Sequence, residues 1–263
     1  MIVVKVGGRT LKNIEAIARD LINHQPFVLI HGGGDFVTQY SKKMGVEPKI
    51  VTSPSGVRSR YTDEDELEVF VMVMAGKVNK EIVSKLLDLG IKAVGISGVD
   101  GPTLIAERKK RIVVLEKGRR RVIPGGFTGK IREVNTSLLN SLLAEGYNVV
   151  LAPLARGMEG EMLNVDGDQA ASEVAKALRP RYLVLLSDVD GVIYEGQLIK
   201  KLSWNESIQL AEKIGPGMNR KLLMAGRVAE QQIHVVIASG LVEEPIRRAL
   251  AGGGTHITAL ELS

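Results

Sequence analysis

Glycines follow two apolar runs in this sequence, one that contains Lys5 near its end and one that ends at His31. Lys5 precedes the pair Gly7–Gly8, and His31 precedes three consecutive glycines, Gly32–Gly34. Glycines let backbone N–H groups approach an anion closely, and such a turn before a helix can cradle a phosphate. A lysine in a buried strand also needs a charged partner. We therefore expect phosphate binding at Gly32–Gly34, whereas a tight turn explains the first pair equally well.

Two further segments combine polar groups with helix starts. An alanine-rich helix is preceded or opened by Asn164, Asp166 and Asp168. One helix cap requires fewer acidic and amide side chains than these three. Lys221 follows a Gly-Pro-Gly lead-in and begins another helical pattern. An aspartate near two lysines could orient both of them without acting as a base.

Several kinds of site are excluded or disfavoured. The chain has no cysteine, so disulfides, thiolate metal sites and a cysteine nucleophile are excluded. Its four histidines lack metal-ligand spacing, and we name no protein metal ligand. The dinucleotide-binding pattern G-x-G-x-x-G does not occur. The segment most similar to a P-loop, Pro124–Ile131, has Pro124 in place of the first glycine and Ile131 in place of the final Ser or Thr.

The positive charge is concentrated in one segment. Residues 107–132 carry ten lysines and arginines against two glutamates, whereas the whole chain has a net charge of only +5. This excess indicates an acidic partner. A nucleic acid is the less favoured partner, because Phe127 is the segment's one aromatic residue and base stacking needs more.

Short aliphatic runs alternate with amphipathic stretches along the chain. Continuous aliphatic runs predict strands covered on both faces, and their alternation with helices predicts a three-layer α/β/α sandwich with a mainly parallel central sheet. The predicted strands are Ile2–Val6, Phe27–His31, Ala93–Ile96, Tyr147–Ala152, Tyr182–Ser187 and His234–Ala238. The predicted helices are Leu11–Asn23, Asp35–Met44, Asp63–Leu89, Asn135–Glu145, Gly167–Leu178 and Asn219–Gln232.

Two β-hairpins interrupt this alternation. One falls within residues 102–131, and a smaller one surrounds the Glu195-Gly196 turn at Gly191–Ile199. The N-terminus lacks a signal-peptide pattern, and no apolar run approaches the roughly 18 residues that a membrane span needs. We expect a soluble, cytoplasmic protein that does not associate with membranes.

The motifs in order resemble those of the amino acid kinase family, in its acetylglutamate kinase branch. They are Lys-x-Gly-Gly from Lys5, His-Gly-Gly-Gly from His31, Gly-Val-Arg from Gly56, Leu-Asn-x-x-x-Asp-Gln-Ala-Ala from Leu163, Leu-Ser-Asp-Val-x-Gly-Val from Leu186 and Gly-x-x-x-Lys from Gly217. Each motif is weak alone, but the ordered set covers nearly the whole chain. The resemblance implies a carbamate kinase-like fold with one domain over residues 1–263. It divides approximately into an amino-acid lobe (1–165) and a nucleotide lobe (166–263).

The resemblance also implies ATP as phosphoryl donor, Mg²⁺ bound mainly through ATP, and a role for each site residue. Lys5 and Lys221 would flank the transferred phosphoryl group, and Asp168 would orient them. The resemblance implies that the phosphates are bound by Gly8, Gly33 and Gly34. It implies that the amino acid is bound by Arg58, Arg60 and Asn164, and that the nucleotide is bound by Asp188, Gly191 and Met218.

Within that branch the chain is most similar to kinases of lysine and arginine biosynthesis that phosphorylate 2-aminoadipate or glutamate on an amino-group carrier protein. Gly56–Thr62 carries a second arginine and a tyrosine, which favours this group. Arg119, Arg120 and Arg121 in the basic segment would bind a small acidic carrier. The alternative is acetylglutamate kinase acting on free N-acetyl-L-glutamate. The resemblance further implies a homodimer, through the 63–89 helix.

Overall fold

The computed structural model describes residues 1–259; residues 260–263, the end of the predicted nucleotide lobe, lie outside the described range. The strands are β1 (Ile2–Val6), β2 (Phe27–His31), β3 (Lys49–Thr52), β4 (Arg58–Tyr61), β5 (Ala93–Gly98), β6 (Leu104–Arg108), β7 (Arg111–Glu116), β8 (Arg119–Pro124), β9 (Gly129–Val134), β10 (Asn148–Gly157), β11 (Met162–Asn164), β12 (Tyr182–Ser187), β13 (Val192–Tyr194), β14 (Gln197–Ile199), β15 (Lys201–Ser203), β16 (His234–Ser239) and β17 (Thr255–Thr258).

The α-helices are α1 (Ile14–Leu21), α2 (Gly34–Lys43), α3 (Glu64–Val71), α4 (Asn79–Asp88), α5 (Ser137–Ala144), α6 (Gly167–Leu178), α7 (Trp204–Ala211), α8 (Met218–Ala229) and α9 (Pro245–Leu250). Short 3₁₀ segments, Gly8–Asn13 and Ile22–His24, flank α1. A π-helical stretch, Met72–Val78, joins α3 to α4.

One sheet runs through the molecule in the order β15-β17-β16-β12-β1-β2-β10-β6-β9, with β5 and β11 also paired to β10. Its centre is parallel: β16, β12, β1, β2, β10 and β5 all run in one direction. The predicted α/β/α class with a mainly parallel sheet is therefore confirmed. Both predicted lobes share this sheet, and their boundary near residue 165 stays a prediction.

The central strands are buried on both faces, which explains their continuous aliphatic sequences. Val3 and Val4 of β1 are both fully buried, and they belong to core clusters on opposite faces of the sheet. Helices α6 and α8 cover the face that holds Val3, and α1, α3 and α4 cover the other. Covering both faces of a parallel sheet leaves its strand ends as the place where polar loops can meet.

Most sequence-based elements are confirmed, with differences in detail. The single predicted helix Asp63–Leu89 contains the π-helical stretch, and the predicted helix Leu11–Asn23 begins as a 3₁₀ segment. Both predicted hairpins are present, as β7–β8 and β13–β14. The β3–β4 hairpin and helices α7 and α9 were not predicted. Within residues 1–259 no helix has the length and apolar character needed to span a membrane.

The register of the central strands places the predicted motifs at one edge. Val6 of β1 lies opposite His31 of β2 and Leu186 of β12. All three strands are parallel, so the segments that follow them leave the sheet side by side. The glycines after β1, the glycines after β2 and Asp188 after β12 are therefore neighbours at the carboxyl edge of the sheet.

Candidate active site

Three charged side chains from distant parts of the chain meet at this edge. Lys5 comes from β1, Asp168 from the first turn of α6 and Lys221 from the first turn of α8. The Lys5 Nζ lies 2.7 Å from Asp168 Oδ1, and the Lys221 Nζ lies 2.7 Å from Asp168 Oδ2. The contact from Lys221 is an aligned hydrogen bond, whereas that from Lys5 is an ion pair. One carboxylate thus holds two ammonium groups.

Burial decides how these groups ionise. Burial opposes charge on Asp168, but Lys5 and Lys221 outweigh it and hold the pKa of its carboxyl well below the ordinary value. Burial likewise opposes charge on Lys5, yet Asp168 raises its pKa above the usual range. Burial lowers the pKa of Lys221, with Lys5 acting in the same direction and Asp168 against it. Because its pKa is held far below neutral pH, the Asp168 carboxylate has little affinity for a proton and is poorly suited to act as a general base, while its two oxygens hold the two lysines.

The two glycine loops pack backbone against backbone beside this cluster. A Cβ on Gly32 would lie 2.6 Å from the Gly8 nitrogen, and a Cβ on Gly8 would lie 3.2 Å from the Gly33 nitrogen. A Cβ on Gly33 would lie 2.7 Å from the Met74 sulfur, which belongs to the π-helical stretch. Only glycine allows this approach, so Gly8 and Gly33 are fixed next to each other.

A neutral histidine holds the second loop in place. His31 is fully buried, and its Nδ1 lies 2.9 Å from the Gly32 carbonyl oxygen. Its Nε2 lies 3.4 Å from the Asn79 side-chain nitrogen, which also donates to the Val150 carbonyl. Burial lowers the pKa of His31 to about 4. The ring is therefore uncharged at neutral pH, with Nδ1–H donating to Gly32.

Helix starts at this edge differ in how they are capped. The Gly8–Asn13 segment and α2 each begin after a glycine and have no side-chain cap within residues 1–259, whereas at the start of α8 the Asn219 side chain accepts hydrogen bonds from the Gly217 and Arg220 N–H groups. Similarly, α6 begins after Asp166, whose carboxylate accepts a hydrogen bond from the Gln169 N–H. The first N–H groups of an uncapped helix lack intrahelical partners and favour anions. Backbone donors are therefore available for phosphate oxygens beside Lys5 and Lys221.

A cleft of about 700 Å³ opens from the cluster toward the hairpins. Gly33, Gly34 and Asp168 line its inner end. The β3–β4 hairpin forms one wall, and Ile112–Val114 of β7 form another. This volume suits a small molecule or the end of a peptide chain. The cleft therefore reaches Asp168, the carboxylate that binds the two lysines.

The predicted amino acid-binding residues all line this cleft, but their surroundings differ. Arg58 is exposed, and its side chain makes no hydrogen bond or ion pair within residues 1–259. Asn164 donates a 2.9 Å hydrogen bond to the Thr62 hydroxyl. Arg60 forms a buried ion pair with Glu66 and donates 2.8 Å to the Gly34 carbonyl oxygen. Arg58 is thus available to a ligand, whereas the Arg60 guanidinium joins the β3–β4 hairpin to the start of α2.

The predicted nucleotide-binding residues lie beside the cluster. Asp188 follows β12 and accepts a 3.0 Å hydrogen bond from Arg9 Nη1, and this contact holds the pKa of Asp188 below its usual range. Gly191 has φ +154°, and a Cβ there would lie 2.8 Å from Leu198 and Thr255 side-chain atoms. Met218 is the first residue of α8, three residues before Lys221. Their role in nucleotide binding stays a prediction.

The predicted carrier-binding arginines form part of β8. Arg119, Arg120 and Arg121 are exposed, and Arg121 forms a 2.7 Å ion pair with Glu116. The β7–β8 hairpin turns at Lys117 and Gly118, which both have positive φ. Its other strand, β7, contributes Ile112–Val114 to the cleft lining, and Arg121 lies directly opposite Val114.

Sequence reasoning missed several residues of this region. Arg9 and Thr62 contact predicted site residues, Asn79 contacts His31, and Lys109 and Arg220 line the cleft. Arg9 and Arg220 could have been predicted from the sequence, because they are the direct neighbours of Gly8 and Lys221. No sequence pattern points to Asn79 or Thr62, because the residues that they contact are far away along the chain. No group of three potential metal-binding His, Cys, Asp or Glu residues occurs within residues 1–259.

Comparisons with known proteins agree with this geometry. The model of the amino acid kinase family matches residues 1–239. A protein of Saccharolobus solfataricus named LysW-aminoadipate/LysW-glutamate kinase is 52% identical over 262 residues, covering 98% of this chain and 99% of the relative. A protein of Ignicoccus hospitalis, named as a putative kinase of the same kind, is 49% identical with the same coverage.

Solved structures share the fold. N-acetylglutamate synthase from Neisseria gonorrhoeae, in complex with coenzyme A and N-acetyl-glutamate, superposes with a TM-score of 0.81 at 26% identity. That match covers 99% of this chain and 60% of the synthase chain. Giardia carbamate kinase superposes with a TM-score of 0.69 at 17% identity and 98% coverage of both chains, which shows a common fold.

Proposed function

The chain belongs to the amino acid kinase family and is a phosphotransferase, and on that premise we propose that it phosphorylates the side-chain carboxylate of carrier-linked 2-aminoadipate or glutamate. The carrier is a small acidic amino-group carrier protein of the LysW kind, and the reaction belongs to lysine or arginine biosynthesis. The observation that carries the proposal is the Lys5–Asp168–Lys221 cluster at the inner end of a cleft bordered by exposed arginines.

The cluster suits transfer between two anions. A carboxylate oxygen attacks the γ-phosphorus of ATP, the bond to the bridging oxygen breaks, and an acyl phosphate and ADP result. Lys5 and Lys221 offset the repulsion between carboxylate and triphosphate, and Asp168 holds both ammonium groups in position. The attacking group is already an anion, so no base has to remove a proton. An Asp168 carboxylate that stays ionised fits this requirement.

The uncapped helix starts suit the triphosphate. Backbone N–H groups at Gly8, Gly33 and Gly34 would bind phosphate oxygens, since no side chain caps these segments. Asp188, Gly191 and Met218 would contact the rest of the nucleotide. Mg²⁺ bound through ATP would shield the phosphate charge. Residues 1–165 would then act as the amino-acid lobe and residues 166–263 as the nucleotide lobe.

The outer cleft suits the amino acid. Within residues 1–259 the Arg58 guanidinium has no partner, and Asn164 lines the same cleft with its amide already oriented by Thr62. We assign the α-carboxylate of the amino acid to these two residues. Arg60 would contribute through the ordered hairpin, because its guanidinium is already bound to Glu66 and Gly34.

The β7–β8 hairpin suits an acidic protein partner. Val113 and Val122 are directly opposite each other in the hairpin, and they are 43% and 60% exposed. The next pair on the same face is Leu115 and Arg120. Exposed apolar groups beside Arg119, Arg120 and Arg121 can combine apolar contact with charge attraction in a docking surface.

The assay compares two acceptors. Purified protein is incubated with ATP, Mg²⁺ and either LysW carrying 2-aminoadipate or glutamate, or free N-acetylglutamate and N-acetyl-2-aminoadipate. Hydroxylamine traps the acyl phosphate as a hydroxamate, which mass spectrometry locates. We expect turnover of the carrier-linked acceptor. Turnover of free N-acetylglutamate alone would assign the chain to acetylglutamate kinase instead.

We also expect a homodimer through the helical segment 63–89. Met72, Leu87 and Leu89 in this segment are 44%, 53% and 37% exposed. Such side chains gain from a second apolar surface. Sedimentation of the purified protein gives the oligomeric state directly.

A further inference from the structure

Lys109 is a cation in the cleft whose side chain forms no ion pair within residues 1–259. It lies between β6 and β7, at the base of the basic hairpin, and its side chain lines the cleft. Within residues 1–259 this side chain makes no hydrogen bond or ion pair. Its neighbour Lys110 lies outside that cleft and pairs with Glu159 at 3.4 Å. Two adjacent lysines therefore have different surroundings.

The backbone of Lys109 is held in place. Its N–H donates a 2.9 Å hydrogen bond to the Thr128 carbonyl oxygen, and the Gly125 N–H donates to the Lys110 carbonyl oxygen at 3.1 Å. A Cβ on Gly125 would lie 1.6 Å from the Lys109 carbonyl oxygen, so the backbones at Lys109 and Gly125 are in close contact. Lys109 therefore differs from an ordinary surface lysine, because its position relative to the cleft is set by backbone contacts.

A second cation lines the same cleft from the other part of the chain. Arg220 of α8 lies 3.6 Å from Asp166 Oδ2, and it directly precedes Lys221. Burial lowers the pKa of Lys109, and Arg220 and Lys130 act in the same direction, while Asp166 opposes them. Asp166 pairs directly with Arg220 and offsets the charge repulsion between Lys109 and its basic neighbours only in part. An anion entering between Lys109 and Arg220 would relieve this repulsion.

We propose that Lys109 and Arg220 form a second anion subsite, which binds a carboxylate of the carrier polypeptide next to the linked amino acid. The inference rests on the proposed function, because the amino acid's own two carboxylates are already assigned to the lysine cluster and to Arg58 with Asn164. A third carboxylate reaches the cleft only when the acceptor is attached to an acidic carrier. The subsite is continuous with the hairpin proposed to dock that carrier.

This arrangement makes the enzyme distinguish carrier-linked from free acceptors. Lys109 precedes residue 166 and Arg220 follows it, so a carboxylate between them would bridge the two proposed lobes. A free N-acetyl amino acid lacks that carboxylate and leaves the two cations facing each other. The discrimination is expressed in KM, since the subsite binds a carrier carboxylate that takes no part in the reaction.

The test uses two adjacent lysines as a matched pair. Lys109→Met and Lys110→Met each remove one positive charge from the same segment. We expect KM for carrier-linked 2-aminoadipate to rise about 10- to 100-fold in Lys109→Met, the scale of a lost hydrogen bond to a charged group, and less than about threefold in Lys110→Met. The kcat should change little, and Lys109→Arg should recover most of the loss. Melting curves confirm that each variant is folded.

A binding measurement separates this inference from the proposed function. Titration calorimetry with unloaded LysW carrier should show weaker binding to Lys109→Met than to wild type, by about the same factor. Wild type that binds the carrier in this Lys109-dependent way but transfers no phosphoryl group would contradict the function and support the subsite. Equal effects of the two methionine variants, or no binding of unloaded carrier to wild type, would overturn the subsite.

Discussion

Positive charge is used in two different ways in this protein, in the Lys5–Asp168–Lys221 cluster and in the β7–β8 hairpin. The lysine side chains of the cluster are only 12% and 10% exposed, and both bind one carboxylate. In the hairpin, Arg119, Arg120 and Arg121 are exposed, and even the ion-paired Arg121 side chain is 64% exposed. The same kind of charge therefore meets very different dielectric surroundings.

The comparison separates positioning from attraction. A buried ammonium group must be paired, and pairing fixes where it points, so its effect depends on atomic geometry. An exposed guanidinium is screened by salt over roughly 8–10 Å and acts on a partner through the summed field. We therefore expect the cluster to control the rate of the chemical step and the hairpin to control the affinity for the acceptor.

The largest expected effect comes from removing one ammonium group of the cluster. Lys5→Ala or Lys221→Ala should lower kcat by at least ~100-fold, because each removes a preorganised charge from the transferring phosphoryl group. Steady-state kinetics with saturating ATP and carrier-linked acceptor give this value. Circular dichroism of each variant serves as the folding control. A folded variant with near-normal kcat would remove that lysine from the proposed catalytic residues.

A smaller effect is expected when the buried region is titrated. The pKa of His31 is about 4 in the folded chain, below the ordinary 6.5, so folding favours its neutral form. The corresponding stability is fully present above pH 6.5 and is lost as the pH falls toward 4. This difference corresponds to about 2 kcal/mol of unfolding free energy between pH 7 and pH 5.

Urea unfolding of wild type and His31→Gln at pH 7 and pH 5 measures this contribution. Other titrating groups affect both proteins, so the difference between the two pH dependences isolates His31. The wild type should lose more stability than the variant on acidification. Identical pH dependences would mean that His31 does not have the buried, neutral environment described above.

The smallest effect is expected at the hairpin. Replacing Arg119, Arg120 and Arg121 together by Gln should raise KM for the carrier-linked acceptor about tenfold at low salt, through lost charge attraction. The kcat should stay near that of wild type, and the difference in KM should shrink at high salt. Kinetics at 20 mM and 500 mM salt, about 20 Å and 4 Å in screening length, test this.

A matched control removes the same net charge elsewhere. Arg179, Arg227 and Arg248 are also exposed, and their side chains make no ion pair within residues 1–259. Their triple Gln variant should leave KM for the carrier-linked acceptor nearly unchanged. An equal rise in both triple variants would show that total charge, and not the hairpin, determines the affinity.

The sheet could be predicted well from sequence because its central strands are buried on both faces. Phe27–His31 and Tyr182–Ser187 are continuous aliphatic runs, and the observed strands have the predicted bounds. The β3–β4 hairpin lacks such a signal, because the four residues Lys49–Thr52 include only two apolar ones and are exposed or partly exposed. The sequence does contain a signal for helix α7, because Ser203 and Glu206 form a capping box at its start.

The site was predictable as a set of motifs but not as a set of contacts. Lys5 and Lys221 are 216 positions apart, and only the strand order and the α6 and α8 starts bring them to Asp168. The Arg60–Glu66 pair shows the limit of motif reading, because the sequence marks Arg60 as unusual without revealing its partner. The sequence does not distinguish Lys109 from the nine other Lys and Arg residues of segment 107–132, because its position in the cleft depends on the fold.

The close approach of Gly32 to Gly8 has a consequence for how this protein can change over evolutionary time. Since a methyl group on Gly32 would fall within 2.6 Å of the Gly8 nitrogen, neither loop can accept a larger residue unless the other retreats. The two loops follow separate strands, yet a larger residue in one loop requires the other loop to move as well. The β7–β8 hairpin, by contrast, makes no hydrogen bond to either loop within residues 1–259, so its length and sequence can vary without disturbing this junction.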